Sequence, residues 1–486
     1  MNDQRDPAPI AGDVAADADA IRPVDAIDPD AARMPTDADE GLLARRYRAP
    51  TFGAVALVAL YAFEALAVST AMPTVAQALD GLSLYAMAFA GTLAASVVGM
   101  VAAGRWADRS GPRAPLQHGI AWFALGLIVA GLAPTMWVLL FGRIIQGFGG
   151  GLMSVTLYVV VARVYPPRLH ARIFAAFAAA WVLPAIVGPV ISGLIVEHLG
   201  WRWVFLLVPL VAAAAAAMVL PALRGIGAAA QDSPLPASDG RRIFWAVGAA
   251  ASALLLHYGG QQRGWTAASL LALATVALLV CMLRLLPVGT LRAARGLPTV
   301  VALRGIAASA FFGTEVFLPL LLSRERGLSP TWAGVALTIG ALGWSLGSWN
   351  RGRMADPSPS RVLQVGMAML AAGVLVAGAA VVPAVPVAVA MAGWVLAGLG
   401  MGTVFPSLSV LTLELSPPSR QGVNASALQL CDALFTASVL ALGGSLFAAL
   451  LARAPMAAYL SGFAITAGLA MLGTLLAPRV QPAAAR

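Results

Sequence analysis

Four ionisable side chains, Glu64, Arg143, Glu315 and Asp432, stand well inside long apolar stretches of the sequence. An ionised group at the centre of a bilayer costs about 2.5–3.5 kcal/mol on insertion scales, so each needs a partner, a water-filled cavity or a neutralising proton. An acid in a crevice that opens alternately to two faces can load a proton on one side and release it on the other. Two readings therefore stand for Glu64 and Arg143: a static pair inside a helix bundle, or a proton-coupling pair. The functional default for intramembrane acids favours the second. Glu315 and Asp432 carry the same two readings evenly balanced. Gln429, Asp432 and Thr436 lie three and four residues apart and share one helix face.

Metal and nucleotide chemistry have no support. His118, His170, His198 and His257 are scattered, and Cys281 and Cys431 both fall in apolar segments, which argues against a disulfide framework or a cysteine metal site. The glycines at 147, 149, 150 and 151 follow no strand and precede no Gly-Lys-Ser/Thr, so they form no phosphate loop; in an apolar helix they let neighbours approach closely. No cofactor or metal is expected, and the chain is not expected to be an enzyme.

The elements that must position these groups are membrane helices. Of 486 residues, 60% are hydrophobic and only 11% charged, too apolar to wrap around one soluble core. All 31 basic residues are Arg. The net charge of +9 suggests nucleic acid at first sight, but the arginines are dispersed between apolar segments and read as topology signals. Stretches long enough for a span of about 20 residues occur near 51–78, 84–104, 115–133, 135–162, 171–195 and 202–223. Further stretches follow near 243–259, 266–286, 299–322, 331–350, 361–382, 384–412, 422–450 and 456–478. Fourteen spans result, with twelve as the alternative because the segment at 243–259 is short.

A duplication organises them. Gly104-Arg105-Trp106-Ala107-Asp108 returns as Gly352-Arg353-Met354-Ala355-Asp356, Pro166-Pro167 as Pro417-Pro418, Gly147 and Gly151 as Gly398 and Gly402, and Glu64 has Glu315 as its rough counterpart. Two six-helix halves in one chain, with a binding site at the repeat interface, is a transporter layout. The expected order is an acidic disordered tail (1–48), a first bundle (49–223), a cytoplasmic linker (224–242), an inserted helix pair (243–298), a second bundle (299–478) and a short tail (479–486). The first tail holds half of the acidic residues and lacks the pattern of a cleaved signal peptide. Arginines cluster in alternate loops, at 45–48, 105–113, 163–172, 224–242, 292–295 and 351–361, which predicts both termini in the cytoplasm.

Four motifs give the chain a resemblance to the major facilitator superfamily, and within it to the fourteen-span drug/proton antiporters. Gly104 to Arg113 (G-R-W-A-D-R-S-G-P-R) resembles the signature loop after the second span, with Pro112 in place of the usual basic residue. Leu139 to Gly151 (L-L-F-G-R-I-I-Q-G-F-G-G-G) resembles the fourth-span motif with its buried arginine, here Arg143. Pro184 to Gly193 (P-A-I-V-G-P-V-I-S-G) is similar to the fifth-span antiporter motif around Gly188, Pro189 and Gly193, with Pro184 and Ser192 where glycines are usual. Glu64 to Pro73 (E-A-L-A-V-S-T-A-M-P) resembles the first-span motif of the fourteen-span group, with Glu for the commoner Asp.

The resemblance implies an all-α polytopic fold, two six-helix bundles plus an inserted pair, that exports small amphipathic compounds against protons by alternating access from the inner (plasma) membrane. It also implies a conformational latch of Gly104, Asp108, Arg109, Gly111 and Arg113, in which Asp108 can meet arginine and a helix N-terminus of the other half. The copy at Asp356 continues Pro357-Ser358-Pro359 and is expected to be degraded as a latch. Gln146, Tyr158, Trp181, Phe312, Trp344, Trp394, Phe405 and Gln429 are the candidate lining of an apolar substrate cavity. The expected partners are a small-molecule substrate, protons and the lipid bilayer, with no nucleic acid, for a monomeric protein. Uptake by proton symport, and a non-transporting receptor of the same fold, are the alternatives.

Overall fold

The computed structural model describes residues 41–481 apart from 82–83, 228–238, 261, 263, 329, 355–357 and 452. Residues 1–40 of the expected tail, most of the linker, Asp356 and Arg263 lie outside the described residues. The described residues form helices and no strand. In chain order these are α1 (Arg45–Ala78), α2 (Tyr85–Ser110), α3 (Arg113–Gly131), α4 (Met136–Val164), α5 (Pro167–Ala179), α6 (Val182–His198) and α7 (Arg202–Val219). Then come α8 (Asp239–Gly259), α9 (Gly264–Leu285), α10 (Leu297–Arg324), α11 (Pro330–Arg353), α12 (Pro359–Gly378), α13 (Val387–Glu414), α14 (Gln421–Leu451) and α15 (Pro455–Leu476).

Twelve helical segments among the described residues are long and apolar enough to cross a membrane. The helices α8 and α11 have 21 and 24 residues but are diluted by polar ones: Asp239, Arg241 and Arg242 open α8, and Ser, Thr, Trp and Asn are spread through α11. The chain is a multi-pass, all-α membrane protein.

Three boundaries differ from the sequence expectation. The first helix begins at Arg45, inside the expected tail, because Tyr47 is buried and stacks on Tyr165 with ring centroids 5.5 Å apart. The expected fifth span is two helices. Pro184 has no N–H for the carbonyl of Ala180, four residues back, and its ring crowds that carbonyl, so α5 stops and the chain turns at Ala180 and Trp181 before α6. At the end of the chain, a 3₁₀ turn at Ala477–Val480 replaces the start of the expected tail, and the Arg479 carbonyl accepts a hydrogen bond from Gly296 N at 2.8 Å.

The duplication is visible as repeated backbone contacts. Gly99 on α2 packs against the carbonyl of Phe148 on α4, and Gly347 on α11 against that of Leu399 on α13. Gly151 abuts Ser96 O where Gly402 abuts Trp344 O, and Gly126 abuts Gln146 N where Gly373 abuts Ala397 N. At none of these glycines is there room for a Cβ. The α2–α4–α3 layer of the first half therefore repeats as α11–α13–α12 in the second, with glycine allowing the backbones to touch.

Between the halves, α2 packs on α14 and α5 on α11. These contacts join the C-terminal ends of α2 and α11 to the N-terminal ends of α14 and α5, the ends that arginine placement assigns to the cytoplasm. The helix α8 lies against α2 and also touches α14.

Candidate functional site

Three polar constellations interrupt the apolar interior, each at a different depth. The first joins α1 to α4. Arg143 Nη1 donates to Glu64 Oε1 and, at 2.7 Å, to Gln146 Oε1. All three side chains are buried. Arg143 and Gln146 sit three residues apart, so one face of α4 presents both to Glu64. Arg143 Nε has no hydrogen-bond partner among the described residues, so the guanidinium is anchored through one edge.

The helix α6 flanks this pair. Ser192, where glycine is usual, donates to the Ala67 carbonyl of α1 at 2.7 Å, and Gly188 faces Phe63 and Leu66 on either side of Glu64. Neither Gly188 nor Gly193 touches a neighbouring backbone, in contrast with the glycines of α4. Gly188 thus meets α1 through side chains at ordinary contact distance, and Gly193 has open space beside it. Pro189 lies within α6 between them.

The second constellation joins α2 to α14. Asp108 is fully buried and accepts Gly422 N at 2.7 Å with one carboxylate oxygen and Val423 N at 2.9 Å with the other. These are orphan N–H groups of the first turn of α14, so Asp108 caps a helix of the opposite half and meets its positive dipole end. The approach depends on two glycines: a Cβ on Gly104 would meet Gly422 O at 2.7 Å, and Gly422 faces the Gly104 carbonyl. Gly111 turns the chain with φ +79° against the carbonyls of Ile226 and Gly227, while Arg109 and Arg113 are exposed on that face. Gly352 of the second copy packs against Arg172 and Ala175 on α5. Arg163 adds a further tie between halves, donating to Pro418 O at 2.8 Å.

The third constellation centres on Arg304, a residue that sequence reading passed over. Its Nε donates to Asp432 Oδ2 at 3.0 Å, Nη1 to Phe405 O and Ser409 Oγ at 3.3 Å each, and Nη2 to the Tyr158 hydroxyl at 3.4 Å. The guanidinium lies 3.4 Å from the centroid of the Phe405 ring. The signal that could have found it was a lone arginine in the apolar stretch 299–322. Asp432 thus takes its partner from α10, not from Gln429 or Thr436 on its own helix; Thr436 Oγ1 is buried without a hydrogen bond.

Phe312, Trp344 and Phe405 gather beside this cluster. Trp344 stands 6.0 Å from Phe312 and 4.9 Å from Phe405 by ring centroids, and all three are half-buried. Tyr158 packs on Phe174 at 4.8 Å. Trp394 departs from the cavity expectation: it is fully buried, stacked on Phe311 at 4.5 Å and pressed by Gly340, which makes it part of the packed core. Trp181 stands apart at the α5–α6 break, 43% exposed, edge-on to Tyr61. Gln146 belongs to the Arg143 site, and Gln429 is half-buried on α14. Glu315, half-buried on α10, forms no hydrogen bond or ion pair among the described residues. No group of His, Cys, Asp and Glu among the described residues could hold a metal ion.

The profile of the Major Facilitator Superfamily matches residues 54–437. A probable multidrug-efflux transporter of Mycobacterium tuberculosis (strain H37Rv) is 28% identical over 394 residues, 76% of this chain and 81% of the relative. The multidrug transporter protein MdtP of Bacillus subtilis (strain 168) is 27% identical over 379 residues, 76% of this chain and 69% of the relative. Among solved structures, the human organic anion transporter MFSD10 superposes with a TM-score of 0.66 at 16% identity, covering 88% of this chain and 99% of that one. The proton:xylose symporter XylE does so with 0.61 at 17% identity, covering 90% and 96%. At these identities the structural likeness speaks for the fold alone.

Proposed function

The chain belongs to the major facilitator superfamily of membrane transporters, and from that premise we propose that it is a proton-coupled exporter of small amphipathic compounds. The observation that carries this reading is the buried Glu64–Arg143–Gln146 cluster, flanked by the Pro184–Gly193 segment of α6. A carboxylate bonded to arginine inside a bundle has two stable conditions: ionised and paired, or protonated and released. A protein that alternates access can move it between them. Export is favoured over uptake by the α6 motif and by the multidrug-efflux relatives.

In this reading Glu64, Arg143, Glu315 and Asp432 serve proton coupling. Asp108 with Gly104, Arg109, Gly111 and Arg113 holds the cytoplasmic side closed. Phe312, Trp344, Phe405 and Tyr158 receive an apolar, ring-bearing cargo. The protein works as a monomer in the plasma membrane with both termini in the cytoplasm, and α8 and α9 are a pair inserted between two six-span bundles.

The test is transport by the purified protein in proteoliposomes. A fluorescent amphipathic dye should accumulate in vesicles with an acid interior, and an ionophore that collapses the pH gradient should abolish the accumulation. Dye movement indifferent to the gradient would overturn proton coupling.

A further inference from the structure

We propose that Tyr158 and Arg304 form a clasp between the two halves that holds only while Asp432 is ionised, so that a proton reaching Asp432 undoes closure on the cytoplasmic side. The inference rests on the proton-coupled reading above and assigns that reading two residues it does not contain in this role.

The clasp is built asymmetrically. Arg304 on α10, Phe405 and Ser409 on α13 and Asp432 on α14 all belong to the second half, and among the described residues Tyr158 on α4 is the single contribution of the first. The Tyr158 hydroxyl receives Arg304 Nη2 and also the Ser409 hydroxyl at 3.3 Å. Every nitrogen of the Arg304 guanidinium therefore has an acceptor, and the side chain is only 5% exposed, whereas the Asp432 side chain is 19% exposed. Of the ion pair, the carboxylate is the more exposed partner.

Depth ties the clasp to the latch. At about 1.5 Å per residue, Arg304 stands about 10 Å from the start of α10, Tyr158 about 9 Å from the end of α4, and Asp432 about 16 Å from the start of α14. All three ends lie on the side where Asp108 grips Gly422 and Val423. One helix, α14, is thus held to the first half twice: at its N-terminus by Asp108, and about 15 Å further in through Asp432, Arg304 and Tyr158.

Few other groups can act on Asp432. Tyr158 comes from α4 and Arg304 from α10, and α13 brings the Ser409 hydroxyl and the Phe405 carbonyl, with its charged residue Glu414 at the cytoplasmic end of the helix. Cys431 beside it turns to Gly305 of α10. The helix α15 has no charged residue, and Arg284 stands in the last turn of α9. The charged residues of α2, together with Asp239, Arg241 and Arg242 of α8, sit at the cytoplasmic ends, whereas His257 stands in the last turn of α8 at the opposite end. Glu315 lies eleven residues beyond Arg304 on α10 (315 − 304).

The proton accounting closes. In the closed conformation the Asp432 carboxylate is bonded to the Arg304 guanidinium. A proton arriving through the outer crevice converts the carboxylate to a neutral acid, while Arg304 keeps its charge. The charge-assisted bond is lost, Arg304 is no longer held in the geometry that reaches Tyr158, and the halves part on the cytoplasmic side. There the acid gives its proton to water, and the pair re-forms on closure.

The experiment is disulfide crosslinking of Ala175→Cys on α5 to Gly352→Cys on α11, whose positions adjoin across the cytoplasmic rim. Crosslinking is normalised at each pH to that of a cysteine pair placed within one half, because thiolate and so disulfide formation falls with pH in any pair. On that scale the protein with native Asp432 should crosslink well at neutral pH and progressively less as pH falls. Asp432→Asn, which mimics the protonated acid, should lower the closed-to-open ratio about tenfold or more, the scale of one charge-assisted hydrogen bond, and should remove the pH dependence. Tyr158→Phe, which deletes one hydroxyl and preserves the ring packing, should lower the ratio severalfold and flatten its pH dependence, because Arg304 then has no group of the first half to reach. Unaltered crosslinking in Asp432→Asn, or in Tyr158→Phe, would overturn the clasp. Crosslinking is read without any transport, so a protein that proved not to be proton-driven would sink the functional reading while leaving this test standing.

Discussion

Glu64 and Glu315 stand on the corresponding helices α1 and α10 of the two repeats, yet only Glu64 is bonded to an arginine. The matched glycine contacts of α4 and α13 are 251 residues apart (402 − 151), and that offset carries Arg143 to Trp394 (394 − 143). In the second half the place of the arginine is taken by an indole stacked on Phe311, and Glu315 stands without a hydrogen bond among the described residues. The duplicated scaffold thus presents one bound carboxylate and one unbound, which separates their expected behaviour.

Glu64→Gln should abolish dye accumulation driven by a pH gradient while leaving membrane insertion intact. The amide still accepts a hydrogen bond from Arg143 but carries no proton that can be exchanged. Undiminished gradient-driven transport by this variant would remove Glu64 from the mechanism.

Arg143→Lys should lose most of the transport activity. One guanidinium nitrogen serves both Glu64 and Gln146 in a fixed plane, and an ammonium on a shorter, rotatable stem does not reproduce that geometry. Initial rates in proteoliposomes give the answer, and full activity would mean that charge alone matters at this position.

Asp108→Asn should shift the conformational balance toward the cytoplasm-open state and leave substrate binding in detergent largely intact. Asn has one acceptor oxygen for two N–H groups and no charge for the end of α14. A charge-assisted hydrogen bond contributes about 1.5–3 kcal/mol, enough to move a balanced equilibrium about tenfold or more. Crosslinks at the cytoplasmic rim should weaken; strong crosslinking with transport lost would assign Asp108 a role other than closure.

Gly422→Val should have the same consequence by a different physical route. The side chain would enter the space filled by the Gly104 carbonyl and the Asp108 carboxylate, so closure is blocked sterically with every charge retained. Wild-type crosslinking in this variant would show that the two glycines do not form the closing contact.

The spans and the duplication were legible in the sequence because both rest on patterns within one segment: apolar length, glycine spacing and repeated pentapeptides. What was not legible depends on which helix stands beside which. Asp432 announced a buried charge but not that its partner comes from α10, and Trp394 looked like cavity lining until Phe311 and Gly340 were seen against it. The break at Ala180 and Trp181 could have been read from Pro184, whose effect falls four residues upstream of itself.

The matched backbone contacts make the molecule its own control. Gly151 against Ser96 and Gly402 against Trp344 are the same joint built twice, one in the half whose Glu64 is bound to arginine and one in the half whose Glu315 has no hydrogen bond among the described residues. An identical substitution at each delivers the same mechanical insult to two seams of the same design. Whatever the two variants share measures the joint, and whatever differs between them measures the division of labour that has grown up since the copies were alike.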